Sequence, residues 1–154
     1  MRLENSFKVP ASPEQVWDLL NDVPRVVPNM PGARLDAVVD ENSWKATMAV
    51  KLGPVALEFA ADVRRELSDG SARRTTLAVK AREVKGRGGA TATIESTLDP
   101  DGDGTAVTIV TDLHMHGAVA QYGRAVVPDV AGQMVDQFAA NLAASLGEGQ
   151  EPAS

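Results

Sequence analysis

Polar and apolar residues alternate from Arg2 to Val9, with Leu3, Phe7 and Val9 on one parity, and this predicts a strand closed by Pro10. Ser12-Pro13-Glu14-Gln15 then stacks three helix-start signals: a serine cap, proline at the first helical position, and Gln15 placed for a capping box. A short helix follows with Val16, Trp17, Leu19 and Leu20 inward, ending near Asn21-Asp22. Pro24 can open a second short helix to Val27, before Pro28-Asn29-Met30-Pro31-Gly32 forces a turn.

From Ala33 to Met115 the period is two. The expected inward positions are Leu35, Ala37 and Val39; Trp44, Ala46, Met48 and Val50; then Leu57, Phe59, Ala61 and Val63. They continue with Leu77, Val79 and Ala81; Ala92, Ile94, Ser96 and Leu98; and Val107, Ile109, Thr111, Leu113 and Met115. The other parity holds Lys45, Lys51, Glu58, Asp62, Arg64, Lys80, Arg82 and Glu95, as a solvated face requires. Short turn clusters separate these runs, so neighbouring strands are expected to pair antiparallel. With the first strand they make a seven-stranded meander.

After Gly117 the period becomes 3.6. Val119, Tyr122, Val126, Val130, Met134, Phe138, Leu142 and Leu146 form one apolar stripe. The predicted helix, Ala118 to Leu146, is about 43 Å long, with a kink expected at Pro128 and a stop at Gly147. Residues 1–147 therefore read as one domain, and 148–154 as a disordered tail that begins a linker. The fold class is α+β: a curved seven-stranded antiparallel sheet wrapped around a long C-terminal helix, with two short helices between strands one and two. This is a helix-grip arrangement.

A chain of 154 residues with net charge −6 narrows the function. Nucleic acid and anionic lipid both favour basic surfaces, so an acidic chain argues against either as an unaided partner. No apolar run reaches the roughly 20 residues of a membrane span, and Met1-Arg2-Leu3-Glu4-Asn5 lacks a signal-peptide apolar region. The absence of cysteine excludes disulfides, iron–sulfur ligation and thiolate zinc sites, and suits the cytoplasm.

Candidate chemistry is sparse. His114 and His116 share a strand face at a spacing that two metal ligands can use. Their parity points outward, however, and no carboxylate cluster completes a site. Asp99 to Asp103 resembles the start of a calcium loop without its later glutamate, and reads as a turn. Gly86-Arg87-Gly88-Gly89 is not followed by a helix and so lacks the dipole that holds phosphate; it reads as a flexible rim loop. Glu66, Glu83 and Glu95 are carboxylates with no evident pairing for acid–base work. Ser96 and Thr111 lie on the inward parity, available to a ligand carbonyl or to their own backbone.

The interior decides the function. Ala37, Ala46, Ala61, Ala81, Ala92, Ser96 and Thr111 are small, and so are Gly123, Ala131 and Ala139 near the helix stripe. Either the helix sits closer to reach a packing density of about 0.74, or an apolar hollow remains that suits a lipophilic guest.

Val26-Val27-Pro28-Asn29-Met30-Pro31-Gly32-Ala33 and Val50-Lys51-Leu52-Gly53-Pro54-Val55 resemble the carbon monoxide dehydrogenase CoxG family. So do Gly104-Thr105-Ala106-Val107-Thr108, Gly117 to Arg124, and Met134 to Leu142. The resemblance runs from Met1 to about Leu146 and implies a START-like helix-grip domain of the SRPBCC superfamily. It further implies an accessory protein, not an enzyme, of a molybdenum-containing carbon monoxide dehydrogenase. The resemblance also implies recruitment of that enzyme to the cytoplasmic membrane, often through a C-terminal segment beyond a Pro/Ala-rich linker, which is expected to be missing or removed after Ser154. Asn29 stands where the family often has cysteine, which removes any thiol chemistry from that loop.

Joined to the expected hollow, this implies a carrier of a respiratory quinone, menaquinone foremost, with no metal. The protein would be cytoplasmic and peripherally associated with the inner face of the membrane. The quinone tail is expected along Trp44, Met48, Phe59, Val63, Leu77 and Val79. Ile94, Ile109, Met134 and Phe138 continue that lining, with Tyr122 near the headgroup. A docking adaptor with a solid interior is the alternative. A cyclase-type enzyme is the third reading, disfavoured because few inward residues are ionisable.

Overall fold

A computed structural model describes residues 1–150, with side chains except those of residues 122–124 and 147–150. Strand β1 (Arg2–Val9) leads to α1 (Pro13–Leu20), α2 (Val23–Val26) and a 3-10 turn at Val27–Asn29. Six strands follow: β2 (Ala33–Asp40), β3 (Ser43–Leu52), β4 (Val55–Asp69), β5 (Arg74–Glu83), β6 (Gly89–Asp101) and β7 (Gly104–His116). Helix α3 (Ala118–Gln150) ends the described chain.

The seven strands form one antiparallel sheet in the order β1-β7-β6-β5-β4-β3-β2. The meander therefore covers six strands, and β1 is added beside β7, with Leu3 opposite Thr111 and Val9 opposite Thr105. The two short helices carry the chain from one sheet edge to the other. Their start is set locally: the Ser12 side chain accepts from the Gln15 backbone while the Gln15 side chain accepts from the Ser12 N–H, a complete capping box.

Helix α3 packs on the inner face, approaching the backbones of β1, β7 and β3 and the 3-10 turn most closely. It runs unbroken through Pro128 and continues past Gly147 to Gln150. The expected stop at Gly147 is thus replaced by another turn of helix. The predicted tail is helical for its first three residues, and its remainder, 151–154, lies outside the described residues.

A second correction concerns β2. Register shifts between Leu35 and Ala37 and between Val38 and Asp40 break its alternation. Leu35 stays on the inner face, but Ala37 is exposed and Val39 is 57% exposed beside Val38 at 59%. A strand bulged twice presents no regular row of free hydrogen-bonding groups, which protects this sheet edge from pairing with another chain.

The core divides into three packed clusters. Val9, Ala11, Val16, Leu98 and Val107 pack beneath α1, where the buried Thr105 hydroxyl donates to the Ala11 carbonyl at 2.7 Å. Leu52, Leu57, Val119 and Val127 pack around the start of α3. Leu19, Phe138 and Leu142 tie α1 to the later part of α3, and Phe7 meets Phe138 edge-on at 6.1 Å.

Candidate functional site

Residues paired directly across antiparallel strands share a face, so the register defines what lines the space between sheet and helix. One inner row runs Ala46, Ala61, Ala81, Ala90, each opposite the next on β3, β4, β5 and β6. Leu35 and Met115 close its two ends. Four methyl groups in register across strands about 4.8 Å apart make a trough about 14 Å wide. A second row, Trp44, Val63, Val79, Ala92 and Leu113, runs beside it.

Side chains along the middle of the trough stay partly accessible. Met48, Val63, Leu77, Val79 and Ile94 are only partly buried and fall outside all three clusters. Met134 of α3 is likewise partly buried and outside them. Helix α3 rests on the flanks of the sheet, and the middle strands keep apolar surface accessible.

The expected lining residues therefore separate into groups. Met48, Val63, Leu77, Val79 and Ile94 share the partly accessible middle of the inner face, and Trp44 lies on the same face but is buried. Phe59 and Ile109 lie on that face but pack against the clusters at its two flanks. Phe138, 3% exposed, is committed to the cluster with Leu19 and Leu142. The Tyr122 side chain lies outside the described residues.

Polar fasteners hold both ends of the trough. At one end Trp44, 4% exposed, lies under the Arg65 guanidinium, 5.3 Å from the ring centroid. Arg65 donates to the Asn21 carbonyl, to the Glu41 carbonyl and to Asn42 Oδ1, joining β4 to the end of α1 and to the β2–β3 turn. A concavity of about 380 Å³ opens there between Asp22, Pro24, Val38 and Trp44. Asn29 ties the 3-10 turn to its neighbours: its Nδ2 donates to the Arg25 carbonyl, and its own carbonyl accepts from Asn141 of α3.

At the other end stands Glu83, for which the sequence offers no evident partner. It faces inward opposite Phe59, and its side chain is fully buried. Arg87 donates to it through Nε at 3.0 Å and Nη2 at 3.4 Å, and the backbone N–H groups of Glu58, Lys85 and Arg87 add three more bonds. Arg87 also donates to the Ala56 carbonyl, and its own carbonyl accepts from the Val119 N–H that opens α3. Contrary to expectation, this loop is not a free rim: it is bound to the β3–β4 hairpin and to the helix start. Gly88 and Gly117, both at positive φ, allow that approach: a Cβ on Gly117 would lie 2.7 Å from the Gly88 Cα. A signal for the site is present in the sequence, because Glu83 shares the parity of Ala81.

The Arg87 guanidinium, helped by those N–H groups, lowers the Glu83 carboxyl from 4.5 to about 2. A carboxylate that keeps no proton at neutral pH is a fastener rather than an acid catalyst. Because the folded value is depressed, its stabilisation is complete above the unfolded value and lost as pH falls through the folded one. Comparing thermal melts of the wild type and Glu83→Gln, we expect the wild type's advantage to hold down to about pH 4.5 and to vanish towards about pH 2. An advantage independent of pH would contradict this.

Among the described residues, no metal centre competes with the trough. His114 and His116 are exposed as expected, His114 lying 3.5 Å from Asp112, and no group of three metal-ligating side chains is found. A second concavity of about 380 Å³, bordered by Asp62, Lys80, Thr91 and His114, lies on the outer face. No helix of the described residues is long and apolar enough to cross a membrane.

Comparison with known proteins agrees with this geometry. A family model for the carbon monoxide dehydrogenase protein CoxG matches residues 6–147. No curated protein matches the sequence. The structure of a conserved protein from Geobacillus kaustophilus is similar, with a TM-score of 0.84 at 19% identity over 96% of each chain. A START superfamily protein from Mycobacterium smegmatis gives 0.60 at 15% identity, over 96% of this chain and 97% of that one. The Zhui aromatase/cyclase of a Streptomyces species gives 0.54 at 18%, over 96% and 89%. At these identities the likeness establishes the START-like fold.

Proposed function

The chain belongs to the carbon monoxide dehydrogenase CoxG family, and from that premise we propose that it is a carrier of a respiratory quinone, menaquinone foremost. As an accessory protein, not itself an enzyme, it links a molybdenum-containing carbon monoxide dehydrogenase to the quinone pool of the cytoplasmic membrane. It works at the inner face of that membrane as a peripheral protein.

The observation that supports this reading is the partly accessible alanine row on the inner face of the sheet. Electrons leaving a water-soluble dehydrogenase must reach a quinone whose isoprenoid tail holds it in the bilayer. A protein lifts such a molecule out only by replacing the tail's apolar surroundings. Each CH₂ group shielded from water contributes about 0.8 kcal/mol, so a trough of methyl and branched side chains holds a prenyl chain without any charge.

The test is to purify the protein from cells, extract it with organic solvent and identify the released lipid by mass spectrometry, and separately to offer it menaquinone in liposomes. Recovery of an isoprenoid quinone, or its uptake from the vesicles, is expected. No lipid in either experiment would overturn the carrier reading and leave a docking adaptor between dehydrogenase and membrane.

A further inference from the structure

The inner face is not wholly apolar. Thr75 on β5 stands opposite Ser96 on β6, Ser96 opposite Ile109 on β7, and Ile109 opposite Asn5 on β1. All four share the parity of the trough, and Thr111 lies two residues along β7 on the same side, opposite Ile94 and Leu3. One register row thus carries two hydroxyls and an amide, bordered by the partly buried Leu77 and Ile94.

These polar groups make no bond that the fold needs. Among the described residues, no side-chain hydrogen bond joins Asn5, Thr75, Ser96 or Thr111 to the rest of the protein. Yet no sealed side-chain nitrogen or oxygen of the described residues lacks a partner. The Thr75 hydroxyl, on a residue only 6% exposed, therefore opens onto accessible space on the inner side of the sheet. Burying a polar group without a bond costs free energy, so hydroxyls left free beside apolar neighbours are placed to meet a partner from outside the chain.

The inner-face Arg65 is engaged by Asn21, Glu41 and Asn42, and Glu83 is held by Arg87. On α3, the described charged residues Asp129 and Asp136 are exposed. Among the described residues the row itself carries hydroxyl and amide groups, and the cation nearest to it, Arg65 opposite Leu77, is bonded only to neutral oxygens. A carbonyl oxygen needs only donors, and the two hydroxyls supply them.

We propose that Thr75 and Ser96, with Thr111 diagonal to Ser96, form the seat for the head of the ligand, and that this head bears carbonyl oxygen. The inference rests on the carrier reading and adds the position of the head and the groups that receive it. Directly opposed side chains lie about 5 Å apart, so one ring can receive bonds from both hydroxyls while its prenyl tail follows the alanine row.

The test compares the full chain with the Thr75→Val/Ser96→Ala variant. Each protein is equilibrated with phosphatidylcholine vesicles containing either menaquinone or squalene, an isoprenoid hydrocarbon with no oxygen, and the captured lipid is measured by mass spectrometry. Loss of two neutral hydrogen bonds is expected to weaken menaquinone capture about tenfold, with squalene capture unchanged. Ser96→Ala alone, which removes one oxygen from a position with no bond in the fold, is expected to show a smaller fall in the same direction. Equal menaquinone capture by variant and wild type would overturn the seat and leave the carrier reading standing. A parallel loss of both lipids would also overturn it, since the row would then only shape the trough. A wild type that captures neither lipid would overturn the carrier reading and the seat together.

Discussion

Replacing Phe138 with alanine is expected to destabilise the fold by about 3–5 kcal/mol, the largest single-residue effect on stability that we predict. Phe138 is 3% exposed, packs with Leu19 and Leu142, and meets Phe7 edge-on. It therefore connects three elements at once: α1, α3 and β1. Truncation removes the transfer free energy of the ring and leaves a void that Leu19 and Leu142 cannot both fill. It also deletes an aromatic pair worth about 0.5–1.5 kcal/mol beyond the buried area. Against a typical stability of roughly 5–15 kcal/mol for a domain, the variant sits near its unfolding threshold. Chemical denaturation read by far-UV circular dichroism measures this directly. A loss below about 1 kcal/mol would mean that the helix is not anchored through this ring.

Filling the trough gives the second large effect, and the expected result divides in an informative way. Ala61 lies at the centre of the alanine row, between Ala46 and Ala81. In a packed core, Ala61→Phe would force neighbours off their rotamers and cost about 1–3 kcal/mol. Over an open trough the ring has somewhere to go, so stability should change by less than about 1 kcal/mol. On the carrier reading the same ring occupies the path of the prenyl tail, and capture of menaquinone from vesicles should fall by at least about tenfold, the equivalent of roughly two CH₂ groups returned to water. The two readouts move independently. Marked destabilisation would argue for a solid interior, whereas preserved stability with undiminished quinone capture would place any ligand elsewhere.

The architecture is legible in the sequence because its two periods are clean. Alternation from Ala33 to Met115 locates the meander, the switch after Gly117 locates α3, and the Ser12-Pro13-Glu14-Gln15 cap locates α1. Where expectation and structure part, the cause is a local feature that period-two or 3.6 counting does not register. Two bulges in β2 shift the register, so Ala37 and Val39 leave the inner face. Gly147 is tolerated within a helix whose other contacts outweigh its propensity cost of about 1 kcal/mol. Parity predicts which face a side chain joins but not what lies above it. Phe59, Ile109 and Phe138 are on the expected side yet are absorbed into packed clusters. The Glu83–Arg87 fastener is hidden for a related reason: their meeting depends on the path of the turn between β5 and β6, which neither period records.

The pairing of β1 with β7 has a consequence for the order of events in the cell. Leu3 faces Thr111 across the sheet, so the first strand of the domain to leave the ribosome has no neighbour until most of the domain has followed it. Contacts so distant in sequence are slow to form, because a long loop must close before they reward the chain. Until then β1 presents an unpaired edge, an invitation to chaperones and to other nascent chains alike. Synthesis can complete the grip only once β7 closes on β1 and the long helix settles across both, so any guest enters a container whose walls meet late in translation of the domain.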